Sequence, residues 1–215
     1  MAQTQTAGLQ EQFEDLTQQR ETSNLGMWIF ISTECLFFGG LFLAFTVLRH
    51  AYPLGFATAA RHLDLLSGIA GTVALLASTL AMSIGLAALR NSDRFLSFLA
   101  CFGTLACGLI FLGLEGSEYF RAWHEHLVPG GSFQFVGPEA GHVQMFFLLY
   151  FVMTGFHALH LTIGLGVIVC MMLLIMINRL HAERYGPLQV AALYWHFVGI
   201  IWTLLFPTLY LLGGR

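Results

Sequence analysis

Apolar residues run along this chain in five long blocks, and polar residues gather between them. The blocks cover about 25–48, 65–89, 95–117, 141–177 and 188–212, and a helix needs about 20 apolar residues to cross the hydrocarbon core of a bilayer. Four blocks fit one crossing each. The fourth is too long for one crossing and too short for two with a turn. Its start, Gly141-His142-Val143-Gln144, is mildly polar, so we read it as one long helix projecting beyond the membrane. Backbone groups in lipid must be satisfied internally, which leaves helices or closed barrels. Barrel strands would show short segments of period two, and these blocks are unbroken. The expected fold is an all-α, polytopic membrane bundle of about five transmembrane helices.

The spans form one transmembrane domain over 25–212. Residues 1–24 read as a polar, retained tail with at most a short helix, and 213–215 as a C-terminal tail. The tail lacks the basic start and apolar core of a secretory signal. Thr22, Ser23 and Asn24 are capping candidates for the first span. Pro207 is expected to bend the last one.

Composition agrees with lipid as the main solvent. Of 215 residues 57% are hydrophobic and 10% charged, against about 25% charged in a soluble domain. All nine basic residues are arginines, and the formal charge is −3. No block of like charge suggests a nucleic-acid surface. Cys35, Cys101, Cys107 and Cys170 lie inside apolar runs without metal-ligand spacing and read as packing residues. With the N-terminus in the cytoplasm, Arg20, Arg90, Arg94, Arg179 and Arg184 lie inside and Arg49, Arg61, Arg121 and Arg215 outside. The positive-inside rule leans to that orientation.

Ionisable residues inside a span are costly, roughly 2.5–3.5 kcal/mol each at a helix centre, and so mark candidate chemistry. They are Glu34 in the first span, Glu115 and Glu118 in the third, His157 and His160 in the fourth and His196 in the fifth. Glu34 suits either a neutral carboxyl hydrogen-bonded to a neighbouring helix, or a lipid anchor or proton-handling group. Glu115 and Glu118 share a helix face, as do His157 and His160. Such pairs can build a metal or heme site in a bundle, or simply hydrogen-bond helices together. Arg49, His50 and Arg90 close spans and suit snorkelling or a grip on lipid phosphate.

Four stretches carry a family resemblance. The first span reads Leu25-Gly26-Met27-Trp28-Ile29-Phe30-Ile31-Ser32-Thr33-Glu34, followed by Phe37-Phe38-Gly39-Gly40. The third ends Gly116-Ser117-Glu118-Tyr119-Phe120. The fourth holds Thr154-Gly155-Phe156-His157-Ala158-Leu159-His160, then Ile163-Gly164. The fifth holds Tyr194-Trp195-His196-Phe197-Val198, then Ile201-Trp202. Together and in this order they resemble subunit III of the heme–copper terminal oxidases, in its short, five-helix bacterial form. Two positions depart from the family pattern: Gly199 stands where an Asp is usual, and Glu115 where a Gln is common. A polar network between the third and fifth spans is therefore expected to be rearranged.

The resemblance implies a non-redox accessory chain of a cytochrome c oxidase, or of a quinol oxidase, in the bacterial plasma membrane. It implies oxidase subunit I as the main contact, with other oxidase subunits, membrane phospholipids and a larger respiratory supercomplex as further partners. Hemes and copper are expected in those partner subunits, with no cofactor, metal or catalytic residue in this chain beyond bound phospholipid. Glu34, Arg49 and Trp195 are expected to serve lipid binding and proton uptake. Glu115, Glu118, His157, His160 and His196 are expected to form an interhelix polar network. The alternative from the residues alone is a heme-binding anchor using His157 or His160 with His196.

Overall fold

The computed structural model describes residues 16–131 and 133–211. The expected tails at 1–15 and 213–215 lie outside these residues, as does Leu212. The described chain is helical, in the order α1 (Leu16–Ala51), α2 (Pro53–Ala60), α3 (Leu65–Arg90), α4 (Arg94–His124), α5 (Ala140–Met176) and α6 (Gly186–Phe206), with a π-helical turn at Pro207–Leu211. Five of these segments are long and apolar enough to cross a membrane.

The first helix starts earlier than the apolar pattern predicts. Thr22, Ser23 and Asn24 lie inside α1 and cap nothing; Ser23 donates to the Gln19 carbonyl, one turn back, at 2.8 Å. Hydropathy marks where lipid begins, not where a helix must begin. The short helix α2 escaped the pattern because eight residues cannot show a span. Pro53 opens it, where a missing N–H costs nothing.

The turns have clear causes. Asp64 caps α3, accepting from the N–H groups of Leu66 at 3.0 Å and Ser67 at 3.4 Å. Asp93 caps α4 through Leu96 N–H at 2.9 Å. Between them the chain reverses in three residues, with Ser92 at φ 65°. The hairpin α3–α4 is the most extensive helix pair. Small residues allow it: a Cβ on Gly85 would stand 3.3 Å from the Ala100 Cβ, and Thr104 donates to the Ser78 carbonyl at 3.3 Å. Lipid supplies no hydrophobic drive between helices, so close backbone approach and hydrogen bonds hold them together.

The other helices close around α6, which touches α1, α3 and α5. Trp195 is its anchor. The ring is buried, and a Cβ on Gly164 of α5 would stand 2.9 Å from it. Its indole N–H donates to Ser78 Oγ of α3 at 3.0 Å. Trp202 Nε1 donates to Thr72 Oγ1 at 3.0 Å. A Cβ added at Gly199 would stand 2.7 Å from Thr79 Cγ2, so the position that carries Asp in the family pattern is here a close contact between α6 and α3. Past Phe206, Pro207 cannot continue the regular ladder, and the chain widens into the π turn that buries Leu209 and Tyr210. The expected bend is thus a change of helix type.

Asp64 also pairs with Arg121 of α4 at 3.2 Å. Burial alone would raise its carboxyl, but hydrogen bonds from Ser67 N–H, Arg121 and Leu66 N–H, with the Arg121 charge, hold it below the usual carboxylate range. A depressed folded value stabilises the fold above the ordinary aspartate value of about 3.9. That contribution is lost as pH falls through the lower folded value. D64A is expected to cost about 1 kcal/mol, as other lost N-caps do. D64N keeps the cap oxygen and loses the ion pair. Unfolding in mixed micelles should place D64N between wild type and D64A, and only wild type should lose stability through that acid window.

Candidate functional site

The costly intramembrane residues separate into three groups. In the first, α1 brings Glu34 to His160 of α5, with Glu34 Oε2 3.2 Å from His160 Nε2. Both side chains are largely buried, 20% and 13% exposed. His160 Nδ1 lies 2.8 Å from the Phe156 carbonyl, an acceptor only, so Nδ1 carries the hydrogen. Nε2 then either donates as imidazolium to a carboxylate or accepts from a carboxylic acid. A hydrogen bond across this contact therefore places one proton between the two atoms, and the net charge of the pair is zero in either form. Phe38 packs edge-on to the His160 ring, and Tyr194 of α6 donates to the His160 carbonyl at 2.8 Å.

Tyr194 also lines a groove of about 650 Å³ between α1, α5 and α6. Met27, Ile163, Val167, Met171 and Val190 make its walls apolar, and Arg179, Arg184 and Glu183 lie at its rim. An apolar trough with guanidinium groups at its edge has the chemistry of an amphiphile site. Arg49, expected like Glu34 to serve lipid binding and proton uptake, does not line this groove. The groove meets α1 no further than Met27, and 22 residues of helix place Arg49 about 33 Å further along. Trp195 is equally distant from lipid in effect: its ring is 1% exposed and locked to Ser78, so it is a packing anchor and not a lipid contact. Of the three residues expected to serve lipid binding and proton uptake, none lines the groove, and Glu34 lies nearest to it, through His160 and Tyr194.

The second group lies in the opposite half of the bundle. Glu115 and Glu118 are both 6% exposed. Glu118 Oε2 accepts from the Tyr150 hydroxyl at 2.9 Å and from the Tyr210 hydroxyl. Tyr119 donates to Thr154 Oγ1 at 2.6 Å, which itself donates to the Tyr150 carbonyl at 2.8 Å. Gly68 makes room for this, since a Cβ there would stand 3.0 Å from the Tyr210 ring. The carboxyls thus face inward, toward α5 and the end of α6.

The third group is histidines apart from both. His157 is buried against Phe111 and Trp202, with centroids 5.6 and 5.2 Å away, and its Nε2 has no hydrogen-bond partner among the described residues. His196 Nε2 lies 2.8 Å from Ser83 Oγ, and its Nδ1 2.5 Å from the Ala192 carbonyl. The five residues expected as one network are thus three local sets. Of the histidines in the heme-anchor alternative, His160 Nε2 is engaged by α1 and His196 Nε2 by α3, and His157 Nε2 is unengaged among the described residues. Among the described residues no three His, Cys, Asp or Glu side chains are grouped to hold a metal ion.

Sequence reasoning missed Tyr150, Tyr194, Tyr210, Ser78 and Thr154. Each is a neutral polar group in an apolar run, common enough in packing that only its partner reveals it. The one available hint was that Tyr150 and Thr154 lie four apart, on one helix face.

Comparison with known proteins gives the context. Residues 12–214 match the family described as cytochrome c oxidase subunit III. Similar proteins include the probable quinol oxidase subunit 3 of Staphylococcus aureus (strain USA300), 30% identical over 199 residues. The probable quinol oxidase subunit 3 of Staphylococcus haemolyticus is 27% identical over 197 residues. Each alignment covers 92% of this chain and 92% of the relative. Family members assemble with other oxidase subunits, and the five apolar helices make this an integral membrane protein. The chain belongs to the subunit III family of the heme–copper oxidases.

Proposed function

We propose that this chain is the non-redox subunit III of a proton-pumping heme–copper terminal oxidase of the aerobic respiratory chain, in the plasma membrane of a bacterium. Oxygen reduction belongs to the complex. Hemes and copper reside in partner subunits, and this chain packs against subunit I, holds phospholipid and supports proton uptake. Its N-terminus faces the cytoplasm, which puts Arg90, Arg94, Arg179 and Arg184 on the inner side with the rim of the groove.

The observation that carries the role is the placement of Glu34–His160 beside an amphiphile groove. A one-proton pair beyond the deep end of an apolar trough, away from its arginine rim, suits a chain that tunes proton delivery and carries no electrons. Cytochrome c is the donor to the complex on this reading. Quinol is the second reading, favoured by the names of the Staphylococcus relatives.

The test is gentle purification through a tag on this chain. Heme-bearing partners should co-purify, and the separated chain should be colourless. Stoichiometric heme retained by the separated chain would refute the role. Oxygen uptake with reduced cytochrome c against a quinol assigns the donor. A double R179A/R184A variant is expected to lose tightly bound phospholipid by phosphate assay while the complex stays assembled. Unchanged phosphate content would remove the groove as the lipid site.

A further inference from the structure

Glu118 and Glu115 lie in the half of the bundle away from the groove, and the proposed function does not use them. α4 runs from Arg94, at the groove face, to His124 at the other. The two acids therefore sit toward the face that carries the start of α3. A cleft of about 20 Å³ opens there, lined by Glu118, Tyr150, Asp64 and Arg121. A water needs roughly 10–15 Å³ of such volume, so the cleft fits one. Its mouth is polar: Asp64 pairs with Arg121, and His62 Nδ1 lies 3.7 Å from Glu125 Oε2.

The two tyrosine hydroxyls both end on Glu118 Oε2. Oε1 has no partner among the described residues, and neither does Glu115 Oε1. Behind Glu118, a dry seam between Phe111, Trp202 and Tyr210 is lined by both acids and has no room for water. Arg121 faces Glu118 but is held by Asp64. Two like charges one turn apart, with Arg121 paired to Asp64, favour keeping a proton on the pair.

We propose that Glu118, with Glu115 one turn behind it, is a proton-binding site that exchanges through a single-water cleft with the membrane face bearing Asp64 and Arg121. In the exchange a hydronium at the cleft breaks one O–H bond, the Glu118 carboxyl gains that proton, and neutral water remains. The hydroxyls of Tyr150 and Tyr210 hold the carboxyl at the cleft through Oε2. The ligand is a proton, and no electron is transferred. The site is independent of the Glu34–His160 pair, which belongs to the other half of the bundle, and of which donor feeds the complex.

The experiment is infrared difference spectroscopy of the intact complex across a pH series, in water and in deuterium oxide. Wild type is expected to show a carboxylic-acid carbonyl band that grows on acidification and shifts in deuterium oxide. E118Q should abolish it and E34Q should leave it. Y210F, which removes one donor to Oε2 and leaves the acid in place, should shift the band without abolishing it. That variant decides the matter if E118Q fails to assemble. A band absent at every pH, one unmoved by Y210F, or one that never exchanges with deuterium would overturn the proposal and make Glu118 a fixed structural acceptor.

Discussion

Replacing Trp195 by alanine destabilises the bundle by about 3 kcal/mol, the low end of the range for buried Trp→Ala changes. The low end applies because lipid and not water is the reference solvent, so little transfer energy is at stake. What is lost is packing. The indole fills a slot that Gly108 and Gly164 leave open, where an added Cβ would stand 3.1 Å and 2.9 Å from its ring carbons. α4 and α5 cannot close on the gap, since each is held elsewhere by its own contacts with its neighbours. The variant S78A removes only the acceptor of the indole N–H, for about 1 kcal/mol. W195F removes that donor and also the outer ring carbons that face Gly108, so it should fall between S78A and W195A, and adding S78A to W195F should cost little more, because the hydrogen bond is already lost. Unfolding in mixed micelles by detergent titration measures all four. Equal loss in W195F and W195A would mean that the hydrogen bond, and not the volume, anchors α6.

Gly164 and Trp195 show where the sequence is legible and where it is not. Long apolar blocks declare the five crossings because length against bilayer thickness is a one-dimensional property. Gly164 could be suspected as a close contact, since small residues permit one. Nothing along the chain says that its partner is Trp195, 31 positions on. The same limit governs the acids and histidines. Their cost in lipid marks them as special, yet Glu34 meets His160 while Glu118 meets Tyr150 and Tyr210. Those pairings depend on helix rotation, which the apolar pattern of a helix surrounded by lipid on one side and protein on the other leaves weakly specified. Glu34 and Arg49 both lie on α1, and a straight helix keeps residues 15 positions apart about 22 Å apart, a separation that is legible along the chain.

Breaking the Glu34–His160 pair from one side is expected to cost more than removing it whole. In E34A the His160 Nε2 loses its partner in a site only 13% exposed, and leaving one buried polar atom unmade costs about 1–3 kcal/mol. H160A strands the carboxyl instead, and lipid is a poor host for it. The double variant E34A/H160A leaves no orphan and should recover part of the loss, giving a coupling of about 1–2 kcal/mol. E34Q separates charge from hydrogen bonding. Its amide N–H can donate to a neutral Nε2, so E34Q should be nearly as stable as wild type while lacking the carboxyl. If the pair supports proton uptake, E34Q complexes should assemble normally and yet lose activity progressively or pump less efficiently during turnover. Full activity in E34Q together with lost stability in E34A would leave the pair as a clamp between α1 and α5. Additive single-variant losses in the cycle would show that the 3.2 Å contact carries no energy of its own.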